Sequence, residues 1–214
     1  MIKYFVRTTN ERSFDYDLNY ELLVDKEKKP VESFIHQLKY ISQYDSVLLE
    51  DDLILCNDFE GKIEDVIKQY PNDIINFFCF PFEYFESRQS TYFLWNQCTY
   101  YPKGIGSKVA KEIERLRETM PDAQYDILEN TALKNLKISH IQHRPCLVQH
   151  IDNGSLIQGN YCPTRRTIYF EDYLNELGID YKDAYQNKNR IKLRNLMNEK
   201  FETLSFEVKT DGEY

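Results

Sequence analysis

The sequence predicts an α/β fold in which a mostly parallel β-sheet carries helices on both faces. Through the first half of the chain, short β-prone runs alternate with segments whose apolar residues recur at helical spacing. Such alternation is typical of βαβ units, whose strands are parallel and buried on both faces. The 214 residues, 42% of them hydrophobic, can bury one sizeable core. We therefore expect a Rossmann-like sheet with flanking helices.

Local spacing predicts the elements from the amino terminus onward. The runs Ile2–Val6 and Tyr20–Val24 are β-prone, and Pro30–Ile41 places its apolar residues on one helical face. The apolar run Ser46–Leu49 is a predicted strand closed by three acids, and Phe59–Tyr70 is a predicted helix that stops before a proline. The three acids thus fall at the carboxyl end of a strand, where open α/β sheets bind their ligands.

The second half continues the alternation and then becomes helical. Strands are expected at Ile74–Phe80, Thr91–Tyr101 and Pro145–His150, and helices at Ser107–Glu118, Asp126–Leu136, Thr167–Leu177 and Asn189–Phe201. The strand ending at His150 is expected to be the last one of the core. No linker or repeat interrupts the chain, so we predict a catalytic domain over 1–162 and a helical extension over 163–214 packed on the same domain.

Charge and composition restrict the partners. The net charge of -8 argues against an extended nucleic-acid surface, although a local basic pocket for one phosphorylated ligand is compatible with it. The amino-terminal segment has neither a signal-peptide core nor a membrane span, so we expect a cytoplasmic protein without a membrane partner.

The five cysteines form no CxxC pair, which favours reduced, buried thiols over a zinc site. Oligomeric state is not predicted.

Glu50, Asp51 and Asp52 are the strongest candidates for a metal site. Consecutive carboxylates repel one another, and a divalent cation offsets that repulsion. Mn²⁺ or Mg²⁺ takes oxygen ligands and commonly bridges a carboxylate to a diphosphate. Because side chains alternate along an extended segment, Glu50 and Asp52 are expected on one side and Asp51 on the other. The alternative is a solvated acidic loop that leads into the next helix, where acids are also favourable.

The run VLLEDDLILCNDF, which contains Glu50–Asp52, resembles the strand-plus-EDD signature of metal-dependent glycosyltransferases with the nucleotide-diphospho-sugar transferase (GT-A) fold. Two later segments, Phe93–Lys103 and Pro121–Leu133, resemble the acceptor side and the acidic stretch that holds the catalytic base. Pro145–Leu156 resembles the end of the core, where many members supply a metal-binding histidine. The resemblance spans Ile2 to Leu156 and implies transfer of a sugar, expected to be UDP-linked, to an unknown acceptor.

The resemblance implies a role for each matched residue of the metal site. Asp52 and His150 would bind the metal, Asp51 would contact ribose or the sugar, and Glu50 would support the loop. The alternative for His150 is a hydrogen-bonded histidine that closes the last strand. His140 and His143 also suggest a metal pair, but a spacing of three on a strand places them on opposite faces.

Inverting transfer requires a carboxylate that removes the proton of the acceptor hydroxyl. Asp126 occupies the matching position, with Glu129 one helical turn away and Asp122 close by. All three would also suit the first turn of a helix, where acids are stabilising.

Further residues are predicted to contact the nucleotide and the acceptor. The resemblance implies that residues after the first two predicted strands contact the nucleotide: Arg7, Thr8, Thr9, Arg12 and Asp25. For Arg12 the alternative is an ordinary surface arginine. Arg165 and Arg166 would close over the diphosphate or face solvent. Aromatic residues that would stack on the acceptor or the sugar are Trp95, Tyr100 and Tyr101, for which core packing is the alternative.

Two other functional classes use the same features. A metal-dependent nucleotidyltransferase or phosphohydrolase would also place acids at a strand end but would attack phosphorus. A catalytically inactive nucleotide-sugar-binding module would bind the donor without turnover. No GxGxxG, GxxxxGK[ST] or GxSxG motif is present, which removes the main support for dinucleotide oxidoreductases, P-loop kinases and α/β-hydrolases.

Overall fold

The computed structural model describes residues 1–10, 14–78, 96–151 and 166–203. The described strands are β1 (Ile2–Thr8), β2 (Tyr20–Val24), β3 (Asp45–Glu50), β4 (Leu53–Leu55), β5 (Ile74–Asn76), β6 (Cys98–Tyr101), β7 (His140–Gln142) and β8 (Val148–His150). The described helices are α1 (Pro30–Ile41), α2 (Phe59–Gln69), α3 (Ile105–Arg117), α4 (Tyr125–Leu136), α5 (Glu171–Leu177) and α6 (Asn187–Thr203), with a 3₁₀ turn at Tyr181–Asp183.

Six of these strands form one mixed sheet in the order β2-β1-β3-β6-β5-β7. The pairs β1–β2, β1–β3 and β5–β7 are parallel, whereas β6 is antiparallel to both of its neighbours. Five of the six strands therefore run in one direction. The predicted α/β class with a mostly parallel, helix-flanked sheet is confirmed and is consistent with a Rossmann-like architecture.

Side-chain alternation along the strands builds a separate hydrophobic core on each face of the sheet. Tyr4 and Val6 of β1 join a cluster with residues of α2, α5 and α6, whereas Phe5 joins a cluster with α1, α3 and α4. Residues of α5 and α6 such as Leu174 and Leu193 share their cluster with the strands of the sheet. The helices at the carboxyl end of the chain thus pack directly on this core.

Strand β8 differs from its prediction. It pairs antiparallel with β4 in a small second sheet, with Leu53 opposite His150, and does not join the main sheet. The place beside β5 is occupied by β7, which the sequence analysis did not predict, through the register Ile74 to His140. Because that edge position is taken, the segment that follows Pro145 pairs with the strand after the three acids.

Other boundaries also shift. The predicted helix Thr167–Leu177 begins only at Glu171, because Ile168 and Tyr169 form a turn and Phe170 is extended and bridges to Cys146. The predicted strand Thr91–Tyr101 is described only from Cys98, and 91–95 lie outside the described residues. The proposed domain boundary at 162/163 also lies outside them. Among the helices that the structure does describe, none has the length and apolarity to cross a membrane.

Candidate metal centre

Strands β1 and β3 end side by side, with Arg7 opposite Glu50 in a parallel register. Alternation directs the side chains of Arg7 and Glu50 toward the face covered by α1 and α4. The next residues of each segment, Thr8 and Asp51, meet on the opposite face, where the Thr8 hydroxyl donates a short hydrogen bond to Asp51. The end of these two strands therefore separates the three acids as the extended pattern predicts.

Glu50, Asp52 and His150 form a cluster that can hold a metal ion. Each offers one ligand atom, and these atoms lie within 4.8 Å of one another. The His150 Nε2 is 3.2 Å from an Asp52 carboxylate oxygen, and both residues are only 5% exposed. Two carboxylates and an imidazole are suitable ligands for Mn²⁺, and the carboxylates suit Mg²⁺. The residue types and their spacing thus fit the divalent cation implied by the EDD resemblance.

The second sheet brings His150 to the acids. The Ile151 amide donates to the Asp52 carbonyl at 2.7 Å, and Leu53 lies opposite His150 in the β4–β8 pairing. These backbone contacts join segments almost 100 residues apart in the sequence. The predicted pairing of Asp52 with His150 is therefore present as a spatial contact, and its role in binding metal stays a prediction.

The Glu50 side chain is held by two residues from distant parts of the chain, Arg7 and Tyr125. Its carboxylate makes an ion pair with Arg7, and the Tyr125 hydroxyl lies 3.2 Å from the same oxygen. The same Arg7 nitrogen donates to the Tyr125 hydroxyl at 2.9 Å and to the Asn96 carbonyl at 3.1 Å. Burial alone would lower the pKa of Arg7, but Tyr125 and Glu50 raise it, so the guanidinium remains charged. The prediction placed Arg7 on the nucleotide; the structure places it against Glu50.

Tyr16 fastens the turn between β3 and β4. Its hydroxyl donates to the Glu50 carbonyl at 2.7 Å and accepts from the Leu53 amide at 3.0 Å. Burial is the main cause that raises the pKa of Tyr16, and the nearby carboxylates add to the effect. The sequence analysis missed this residue because the polar stretch before β2 carries no periodic signal. Its hydrogen bonds to both sides of the acidic turn depend on the tertiary structure.

The other residues predicted to contact the nucleotide lie near the ends of β1, β2 and β3. Thr8 and Asp51 are buried and bonded to each other, and the Asp25 amide donates to the Thr8 carbonyl at 2.8 Å. Thr9 and the side chain of Asp25 are partly exposed. Arg12 lies outside the described residues. The structure therefore gathers these four residues at the carboxyl ends of neighbouring strands, on the same side of the sheet as the Glu50–Asp52–His150 cluster.

The two acids proposed as catalytic base have different surroundings. Helix α4 begins at Tyr125, whose hydroxyl contacts Glu50. Asp126 is the next residue and is partly exposed. Glu129 is fully buried, with Tyr101 donating to it at 2.7 Å and Asn96 through a shorter contact. Burial raises the pKa of Glu129 to about 7. A carboxyl group with no exposed surface does not reach an acceptor hydroxyl, so burial argues against Glu129 as the base. Asp122, the third candidate, is exposed, and the role of Asp126 stays a prediction.

Burial argues against the predicted aromatic platform for the acceptor at the two of its residues that the structure describes. Tyr100 and Tyr101 are each 1% exposed and belong to the cores on opposite faces of the sheet. The Tyr100 hydroxyl lies 3.3 Å from Asp45 and 3.2 Å from the Pro71 carbonyl, at the far end of β3. Buried rings cannot stack on a sugar. Trp95 lies outside the described residues.

The remaining cationic and histidine candidates are not part of the cluster. The Arg166 guanidinium lies 3.8 Å above the Phe201 ring, which packs it against α6, and Arg165 lies outside the described residues. The His143 ring packs against Phe77 at 5.8 Å, and burial lowers its pKa to about 4. Within the described parts of the chain, His140 and His143 do not appear in any group that could hold a metal.

Comparison of the chain with models of known protein families, with curated proteins and with solved structures gives no match.

Proposed function

We propose that this chain is a metal-dependent glycosyltransferase that transfers a sugar from a nucleotide-diphospho sugar, expected to be UDP-linked, to an unknown acceptor. The observation that carries the proposal is the convergence of Glu50, Asp52 and His150 at the carboxyl end of β3. This is the edge at which open α/β sheets bind nucleotides. The resemblance of Val47–Asp52 to the EDD signature supports the finer assignment to the GT-A fold.

The metal ligands would be Asp52 and His150, with Glu50 as a third. A divalent cation held there supplies positive charge that stabilises the departing diphosphate. Thr8, Thr9, Asp25 and Asp51 lie at the adjacent strand ends, where they would contact the nucleoside and the sugar. This arrangement would orient the donor with its diphosphate toward the cluster.

Asp126 would act as the base. In an inverting transfer, it removes the proton of the acceptor hydroxyl while that oxygen forms a bond to the anomeric carbon. The bond between that carbon and the diphosphate breaks, and the nucleoside diphosphate leaves with the electron pair. Asp126 suits this task better than Glu129 because its side chain reaches the surface next to the Tyr125–Glu50 contact.

The first experiment is a thermal-shift panel of nucleotide sugars with and without Mn²⁺, because a ligand of the folded state raises the melting temperature. For one nucleotide sugar we expect a Mn²⁺-dependent rise that is lost in Asp52→Asn and in His150→Ala. Asp65→Asn, which removes an exposed acid on α2, is the control and should behave as the wild type. An unchanged rise in both site variants would remove the metal assignment.

Product analysis separates the competing reactions. Sugar transfer releases a nucleoside diphosphate. Hydrolysis at phosphorus by a phosphohydrolase releases a nucleoside monophosphate and a sugar 1-phosphate, whereas a nucleotidyltransferase attaches the nucleoside monophosphate to its acceptor and releases the remaining phosphate fragment. Asp126→Asn should retain the Mn²⁺-dependent thermal shift and lose turnover by roughly 100-fold or more, as expected when a general base is removed. Donor binding without any product in the wild type, tested across sugar and peptide acceptors, would favour a binding module.

A further inference from the structure

Glu129 is a buried acid that the proposed chemistry does not use. It lies on α4 with no exposed surface, and both of its carboxyl oxygens accept hydrogen bonds, one from Asn96 and one from Tyr101. An apolar residue would pack at this depth without the cost of removing a carboxyl group from water. The two hydrogen bonds indicate that Glu129 fixes the side chains that donate to it.

Asn96 connects Glu129 to the candidate metal centre. Its side-chain amide donates to Glu129, and its main-chain carbonyl accepts from Arg7 at 3.1 Å. Asn96 is 1% exposed, and its side-chain oxygen lies 3.5 Å from the Thr99 hydroxyl at the start of β6. With its side chain anchored on Glu129, Asn96 presents its carbonyl to Arg7 in one orientation.

Arg7 connects Asn96 to Glu50. The nitrogen that contacts Asn96 also makes the ion pair with Glu50, and the guanidinium lies 4.7 Å from the centre of the Tyr125 ring and 5.6 Å from that of Phe34. Three adjacent carboxylates would otherwise spread apart by repulsion. A fixed guanidinium keeps the Glu50 carboxylate near Asp52 and His150.

We infer that Glu129 and Asn96 are positioning residues that act through Arg7 to hold Glu50 in the metal centre. The inference rests on the proposed function because it requires the Glu50–Asp52–His150 cluster to bind the cation. Partners behind a metal ligand orient it, and their removal typically weakens metal affinity roughly 10- to 100-fold. The chain of contacts runs from α4 through Asn96, which precedes β6, and through β1 to β3, so no single segment contains it.

The test measures Mn²⁺ binding to the full chain by isothermal titration calorimetry, without a nucleotide sugar. Glu129→Met keeps the size of the side chain and removes both acceptors, and we expect the Kd for Mn²⁺ to rise roughly tenfold. Glu129→Gln keeps a carbonyl that accepts from Asn96, and we expect a Kd within about threefold of the wild type. Recovery by the conservative variant is not expected from a role in packing alone.

Two further variants keep the result interpretable. Asn96→Ala removes the middle of the chain and should raise the Kd by a similar factor even if Glu129→Met fails to fold. Tyr101→Phe is the matched control, because it removes the other hydrogen bond to Glu129 and leaves the path to Glu50 intact. We expect it to bind Mn²⁺ as the wild type does. Circular dichroism verifies the fold of each variant.

The outcomes separate this inference from the proposed function. Wild-type Mn²⁺ affinity in both Glu129→Met and Asn96→Ala, with binding lost in Asp52→Asn, would overturn the positioning role and leave the metal centre in place. An equal loss in Tyr101→Phe and Glu129→Met would also overturn it, because the effect would then reflect general disturbance of the core. Unchanged binding in Asp52→Asn would overturn the metal centre itself.

Discussion

Three consecutive carboxylates at the end of β3 have three different surroundings. Glu50 faces α4 and pairs with Arg7, Asp51 turns to the other face and accepts from Thr8, and Asp52 contacts His150. Each residue thus has a partner that carries positive charge, donates a hydrogen bond or offers an imidazole. A solvated acidic loop would leave these groups exposed, whereas Asp51 and Asp52 are 8% and 5% exposed. Burial on this scale favours a role beyond helix entry.

Glu129 should make stability depend on pH. Its pKa is raised from an ordinary 4.5 to about 7 chiefly by burial, so between these values the folded state holds a proton that the unfolded state has lost. Stability is therefore highest below the unfolded pKa, falls as pH rises through this window and is constant above it. Relative to Glu129→Gln, the wild type should lose on the order of 3 kcal/mol across the window.

Urea unfolding of both proteins at about pH 4.5 and about pH 8 measures this difference. Glu64→Gln, an exposed substitution on α2, is the control and should track the wild type. Parallel stability curves for the wild type and Glu129→Gln would show that Glu129 has an ordinary pKa.

Tyr16→Phe should destabilise the acidic turn. It leaves the buried Leu53 amide without the acceptor that it has in the wild type, which costs roughly 1–3 kcal/mol. Chemical denaturation measures the loss. Tyr20→Phe is matched to it, because Tyr20 belongs to the same ring cluster, at 6.1 Å from Tyr16, and its hydroxyl makes no hydrogen bond within the described part of the chain. Equal losses in the two variants would refute the role of the Tyr16 hydroxyl.

At the scale of elements, the close approach of α3 to α1 depends on Gly106. A Cβ at this position would lie 2.4 Å from the Leu38 carbonyl oxygen. The contact is reinforced at the end of α1, where Ser42 accepts from the amides of Gly104 and Ser107. The two helices therefore dock through backbone contacts that a larger side chain would disturb.

Gly106→Ala should lower the free energy of unfolding by roughly 1–3 kcal/mol, as expected for overpacking against a rigid backbone. Thermal or urea unfolding measures it. Lys108→Ala, on the exposed face of the same helix, is the control and should change stability by no more than about 0.5 kcal/mol. A neutral or stabilising effect of Gly106→Ala would mean that α1 and α3 separate at little cost.

The pairing of β4 with β8 is the element-scale feature that brings His150 to the candidate metal centre. The sequence predicted the strand that ends at His150 as the last strand of the core, and the structure places it in a separate two-stranded sheet. The register that sets Leu53 opposite His150 places the imidazole beside Asp52, the residue before Leu53. A short strand outside the main sheet thus determines which histidine meets the acids.

At the scale of the whole molecule, a substitution in the buried face of α6 tests whether the carboxyl-terminal helices unfold together with the sheet. Leu193 is fully buried in the cluster that also contains Val47 and Ile63. Leu193→Ala should cost roughly 2–5 kcal/mol and lower the midpoint of a single unfolding transition. Far-UV circular dichroism and the fluorescence of the single tryptophan report that transition.

Ile191→Ala is the matched control, because this neighbouring residue is 53% exposed. It should leave the midpoint almost unchanged. A separate low-temperature transition in Leu193→Ala, with the main transition unmoved, would identify the last helices as an independent unit and contradict the packing described above.

Local structure could be predicted well where it depends on neighbours in the chain. Helix α1 has the predicted bounds Pro30–Ile41, and the strand that precedes the three acids was also predicted. Helical and strand periodicity is a property of a dozen consecutive residues, so a single sequence contains it. The alternation that sends Asp51 away from Glu50 and Asp52 was predicted for the same reason.

Long-range neighbours could not be predicted in this way. Arg7 lies 43 positions from Glu50, and Asn96 lies 33 positions from Glu129, and nothing in their local patterns distinguishes a buried partner from a surface group. The burial of Tyr100 and Tyr101 depends on β6 lying between β3 and β5, which is a matter of strand order. Local spacing does not determine strand order.

The sequence by itself was sufficient to establish the α/β class, most of the helices and the position of the acidic triplet at a strand end, because these follow from local periodicity and charge. Its resemblance also singled out Asp52 and His150. The tertiary structure alone determined that β8 leaves the main sheet, that Arg7 pairs with Glu50 and that Glu129 is buried. Those outcomes depend on which distant segments compete for the same edge or face, and that competition is resolved only when the whole chain packs.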